Sequence, residues 1–123
     1  MRYSETLVDH FLNPRNAGIM RQPDAVGEGE YAGCGDLARI FLRVREGRVA
    51  EARFQAYGCG PTIAAASAVS ELIGLRPVDD LPHLKPEDVE RALDGLPDDR
   101  KHAAEVVADA VRAAAGQWLS RRG

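Results

Sequence analysis

Residues 37 to 45 alternate with a period of two. Ala38, Ile40, Leu42 and Val44 fall on one face, and Arg39, Phe41, Arg43 and Arg45 on the other, the pattern of a half-buried strand. After Glu46-Gly47-Arg48 the alternation resumes over residues 49 to 57. It sets Ala50, Ala52, Phe54 and Ala56 against Val49, Glu51, Arg53, Gln55 and Tyr57, so the pair reads as an antiparallel hairpin. Both apolar faces use even-numbered positions, and facing residues share one side of a sheet, so paired numbers must add to an even sum. A three-residue turn at 46 to 48 sets Arg45 opposite Val49, and extending that ladder brings position 34 beside position 60. Cys34 and Cys59 are therefore expected to converge at the open end of the hairpin, within a residue or two unless a bulge intervenes.

Elsewhere the spacing is helical. Tyr3, Leu7, Val8, Phe11 and Leu12 mark one face of a short helix that Asn13-Pro14 ends, and the turn-rich NPRNAGIMRQPD that follows reads as an ordered loop. Residues 61 to 73 are apolar nearly all round, predicting a buried helix with Gly60 as N-cap, Pro61 in the first position and Gly74 at the C-terminal cap. Cys59 then sits at a helix N-terminus, where the dipole and free amides favour the thiolate. Between residues 75 and 97, Pro77, Pro82, Pro86 and Pro97 leave room for one or two short helices, roughly over 86 to 93. The final segment is the longest helix candidate. Pro97, Asp98 and Asp99 suit its first turn, Arg121 and Arg122 its last, and Ala103, Val107, Ala110, Ala114 and Trp118 form its apolar stripe.

Composition narrows the function classes. A chain of 123 residues fits a single domain spanning 1–123. Its net charge of −3 offers no nucleic-acid signal, and the arginines crowded into residues 39 to 53 (Arg39, Arg43, Arg45, Arg48, Arg53) read as the wet face of a sheet. No apolar run approaches the ~20 residues that span a bilayer. The opening MRYSETLVDHFL has no signal-peptide core, so the chain is expected to be cytoplasmic and off the membrane. Two cysteines are too few for a disulfide scaffold.

Both cysteines are flanked by glycines, Cys34 in GCGD and Cys59 in GCG, which lets backbone or a ligand approach closely. A lone cysteine is ordinarily a small buried hydrophobe. Two that meet at a hairpin end, with Asp36 two residues beyond the first, point to a metal or sulfur site. GEGEYAGCG carries no Gly-Lys-Ser/Thr and is no phosphate loop. His10 and His83 read as structural or solvated. His102, alone, is a surface residue near a helix start, where the dipole keeps a neutral, metal-competent ring available near pH 7.

From YSETLVDHFLNPRNAG (3 to 18) through AGCGD (32 to 36) and ARFQAYGCGPTIAAAS (52 to 67) to LPDDRKHA (96 to 103), the chain resembles the IscU/NifU-type scaffold proteins of iron-sulfur cluster assembly. The resemblance implies an α+β fold: a small, mostly antiparallel sheet of about three strands, several helices and a long C-terminal helix. It implies a site of Cys34, Asp36, Cys59 and His102, holding iron or a [2Fe-2S] cluster transiently for apo iron-sulfur recipient proteins, beside a cysteine desulfurase. Two departures stand out. The family's His-Cys pair is His102-Ala103 here, and alanine can neither accept persulfide sulfur nor ligate metal. The Leu-Pro-Pro-Val-Lys read by a specialised chaperone is Leu96-Pro97-Asp98-Asp99-Arg100, which argues against that partner. The insertion that marks SufU-type relatives is missing as well.

The surviving Cys₂-His-carboxylate set also suits tetrahedral zinc. Histidine can replace cysteine on one iron of a [2Fe-2S] cluster. Three readings therefore stand open: a cluster scaffold or carrier, a zinc-binding partner or regulator of a desulfurase, and a metal-free interaction protein. None is an enzyme with turnover of its own, and each is compatible with a monomer or weak homo-oligomer.

Overall fold

The computed structural model describes residues 2–33 and 35–122. Strands β1 (Ala25–Tyr31), β2 (Asp36–Arg45) and β3 (Arg48–Tyr57) form an antiparallel sheet in the order β1-β2-β3. The even-numbered face of β2 is closed from solvent at Ala38, Ile40 and Leu42. The opposite face is the predicted wet one: Arg39 pairs with Glu28, and Arg43 and Arg53 share Glu51. Arg43 also donates to the Arg21 and Gln22 carbonyls, tying the loop of residues 13–24 to this face.

The hairpin register holds where it matters and slips at the turn. The turn has two residues, Glu46 and Gly47, both with left-handed φ (53° and 75°), so Arg45 faces Arg48 instead of Val49. A bulge follows between Arg43 and Val44, and Arg43 then faces Glu51. From there to Leu37↔Tyr57 every pair adds to the even sum expected from the apolar faces. The cost of the slip is local: Val49 enters the core and Ala50 turns to solvent, the reverse of the alternation.

Strand β1 does not announce itself in AVGEGEY, because its inward positions include Gly27 and Gly29. The structure explains both glycines by the closeness of the long helix α4 (His102–Arg122). A Cβ on Gly27 would lie 2.1 Å from the Ala114 amide nitrogen and 2.3 Å from the Ala110 carbonyl oxygen, and one on Gly29 2.1 Å from the Val106 oxygen. Those contacts are helix backbone and cannot rotate away. Gly27→Ala is therefore expected to destabilise the fold by about 2–3 kcal/mol, the usual cost of forcing extra carbon into a packed interface. Urea denaturation with an unchanged midpoint would contradict it.

Helices α1 (Glu5–Leu12), α2 (Gly60–Leu72), α3 (Pro86–Ala92) and α4 pack on the sheet and on one another, with 3-10 turns at Val78–His83 and Asp98–Arg100. Ser4 caps α1 by accepting from the Leu7 amide. Helix α2 is buried on nearly all sides as predicted, but its N-cap is Cys59 rather than Gly60, and the left-handed residue after its C-terminus is Leu75 (φ 66°), not Gly74. The acidic turn at 98–100 is not the first turn of α4, so His102 is the helix's first residue. Ala103, Val107, Ala110 and Ala114 are fully buried, and Trp118 is partly so. Of the other histidines, His83 is exposed, whereas His10 is buried with Nδ1 2.8 Å from Ser67 Oγ, joining α1 to α2. Among the described residues no helix is long and apolar enough to cross a membrane.

Candidate metal centre

Three elements deliver one side chain each to the open end of the hairpin. Asp36 begins β2, Cys59 caps α2 and His102 begins α4. Asp36 is 2 % exposed, and Cys59 and His102 are half-buried. One ligand atom from each lies within 4.8 Å of the others. Cys59 Sγ is 3.4 Å from Asp36 Oδ2 and 4.0 Å from His102 Nε2, and His102 Nε2 is 2.7 Å from Asp36 Oδ2.

The two carboxylate oxygens have separate tasks. Oδ1 accepts the Cys59 backbone N–H at 2.9 Å, which fixes the carboxylate to the start of α2. Gly58 makes room for that contact: its φ is 121°, and a Cβ there would lie 1.9 Å from Oδ1. Oδ2 faces the other ligand atoms and takes the Thr62 hydroxyl at 3.2 Å as well. Burial pushes the Asp36 pKa up, but the hydrogen bonds from the Cys59 amide, His102, the Cys59 thiol and Thr62 outweigh it, so the carboxyl stays below its usual range. A charged oxygen is therefore available to a cation at neutral pH. The His102 ring is stacked on Tyr31, with centroids 4.7 Å apart and planes at 28°, which limits its rotation.

Ligand-to-ligand spacing tests whether a metal fits. Zinc bonds of ~2.3 Å to sulfur and ~2.0–2.1 Å to nitrogen or oxygen set tetrahedral edges of about 3.6 Å and 3.3 Å. The observed S–O and S–N separations of 3.4 and 4.0 Å bracket the first, and the N–O pair has to open from 2.7 Å once its proton leaves. A mixed S, N, O triad of this size is close to the spacing that a tetrahedral cation requires.

Of the site residues expected from sequence, the structure unites Asp36, Cys59 and His102. Cys34 lies outside the described residues. Ala103 is fully buried in the core, so any larger group there must displace packed neighbours. Thr62 and Tyr31 were not singled out by spacing or motif. Thr62 is three residues past Cys59 on α2, and that helical interval is the one signal that places it beside the thiol.

Comparison with known proteins gives the chain a family. A family model for the NifU-like N terminal domain matches residues 2–123. The chain is 36% identical over 126 residues to the Escherichia coli iron-sulfur cluster assembly scaffold protein IscU, covering 99% of this chain and 98% of that one. It is 40% identical to the bifunctional protein NifU/MnmA of Rubrobacter xylanophilus, of which it spans 25% of the length. The crystal structure of a NifU-like protein (N-terminal) from Brucella abortus superposes with a TM-score of 0.76 at 18% identity, covering 98% of this chain and 96% of the other. With its sheet, its long last helix and nearly all of its sequence matched, the chain belongs to the NifU-like N-terminal domain family.

Proposed function

We propose that this chain is a scaffold or carrier for iron-sulfur cluster assembly, whose cargo is iron or a [2Fe-2S] cluster passed on to apo recipient proteins. The observation that carries the reading is the convergence of Asp36 Oδ2, Cys59 Sγ and His102 Nε2 within 4.8 Å, each from a different element. Cys34, two residues before Asp36 in the sequence, supplies the fourth donor. Relatives named as IscU scaffolds and matched over most of their length support the same reading. A cysteine desulfurase is the sulfur source, although Ala103 leaves this chain without one of the family's thiols.

The residues divide the work. Asp36 and the Cys59 thiolate supply negative charge, His102 contributes a neutral nitrogen, and mixed N, O ligation at a half-open site favours release over permanent storage. Anaerobic reconstitution with ferrous iron and sulfide is expected to produce sulfur-to-iron charge-transfer absorption, and mixing with an apo ferredoxin to move that absorption to the acceptor. A colourless protein that retains no iron would overturn the proposal.

The same spacing suits tetrahedral zinc, which supports a second reading as a zinc-binding partner or regulator of a desulfurase. Near-stoichiometric zinc in freshly purified protein, resistant to displacement by iron, would favour it.

A further inference from the structure

We propose that Thr62 is a positioning residue for the metal centre, whose hydroxyl holds the Cys59 sulfur and the Asp36 carboxylate in place when the cargo is bound. The proposal rests on the metal-binding reading of this site, and it assigns a role that neither the motifs nor the relatives' names contain.

The geometry is specific. Thr62 is fully buried, and its Oγ1 lies 3.2 Å from Asp36 Oδ2 and 3.3 Å from Cys59 Sγ, touching two of the three converging ligand atoms at once. Three donors reach Oδ2 in the unloaded protein: the Cys59 thiol, the His102 ring and the Thr62 hydroxyl. Metal binding removes two of them. The thiol must lose its proton to become a ligand, and His102 must present a bare Nε2. Of these three only the hydroxyl, which keeps its proton at any physiological pH, can still donate to Oδ2 after loading, beside the Cys59 amide that stays on Oδ1.

The surviving bond matters because the site then holds a thiolate close to a carboxylate that is itself closed from solvent. A hydroxyl in contact with both can turn its one proton to whichever anion needs it, which damps their repulsion and holds both groups in place, as outer hydrogen bonds do for metal ligands generally. The residue type fits that task. Thr62 sits in the first turn of α2, and its branched Cβ leaves the hydroxyl few rotamers once it is buried.

Cobalt(II) is the probe, because its d–d and thiolate charge-transfer bands report ligand geometry directly. Thr62→Val keeps the shape and deletes the donor. It is expected to weaken cobalt binding by about 10–100-fold, the range found when outer-shell partners of metal ligands are removed, and to shift the thiolate charge-transfer band. Thr62→Ser restores the hydroxyl and should return both towards wild type. If the valine variant does not fold, Thr62→Ala decides by the same two readouts. Unchanged affinity and spectrum in the hydroxyl-free variant would overturn the role, as would a serine variant that behaves like valine. Wild-type protein that binds cobalt but assembles no cluster with iron and sulfide would overturn the scaffold reading and leave Thr62 to be decided by the cobalt spectra. Wild-type protein that binds no cobalt overturns both.

Discussion

Cys59→Ser is expected to fold normally and to stay colourless after anaerobic reconstitution with iron and sulfide. The thiolate is the soft, charged ligand of the described triad, and a serine hydroxyl, with its far higher pKa, remains protonated and neutral where the thiol ionises. Losing one charged ligand from a set this small should weaken metal binding by about 100-fold or more, since even outer-shell partners cost 10–100-fold. The fold has no reason to suffer. Cys59 is the N-cap of α2, yet its side chain makes no capping hydrogen bond there. Serine is among the preferred N-cap residues, so the variant should be as stable as wild type or more stable by about 0.5–1 kcal/mol. The two readouts therefore move independently: absorption is lost and the melting temperature holds or rises. Full charge-transfer absorption in the serine variant would remove Cys59 from the site and with it the observation that supports the proposed function.

The hairpin and the buried helix were legible in the sequence because each follows one strict period. Even where the turn was one residue shorter than the spacing suggested, parity of the apolar faces restored the ladder through the bulge at Arg43/Val44, since a slip carried to the end would have put Ile40 and Phe54 on opposite faces of the sheet. Strand β1 was illegible by period because Gly27 and Gly29 replace the apolar side chains that would have signalled it, and their reason lies more than 75 residues away, in the backbone of α4. Likewise His102 joined the site only by resemblance: its approach to Asp36 depends on where a separate helix begins. Motifs name ligand atoms but not what orients them, and the Thr62 contact with Asp36 and the Tyr31 stack depend on the packing of separate elements. The loss of a thiol at Ala103 was plain from the motif, whereas its complete burial was not.

Gly58→Ala tests whether the site depends on backbone that only glycine supplies. At φ 121° an alanine is strained whatever the space around it, and here there is none: its Cβ would lie 1.9 Å from Asp36 Oδ1 and 2.9 Å from Asp36 Cα. The strain and the overlap together should destabilise the protein by about 3 kcal/mol. The larger consequence is functional. Relief requires either the carboxylate to rotate or the 58–59 backbone to withdraw, and both break the Cys59 N–H bond to Oδ1 that registers β2 against α2. Oδ2, Sγ and Nε2 would then no longer converge, and cobalt or iron binding should fall by about 100-fold even in the fraction that stays folded. Adding saturating metal distinguishes site damage from general instability, because a ligand that still binds raises the melting temperature by mass action. Wild type should gain stability on cobalt addition and the alanine variant should gain almost none. An alanine variant that melts lower but regains the full metal-dependent increase would mean that Asp36 is not held through Oδ1, and that the carboxylate finds the metal without the amide that positions it here.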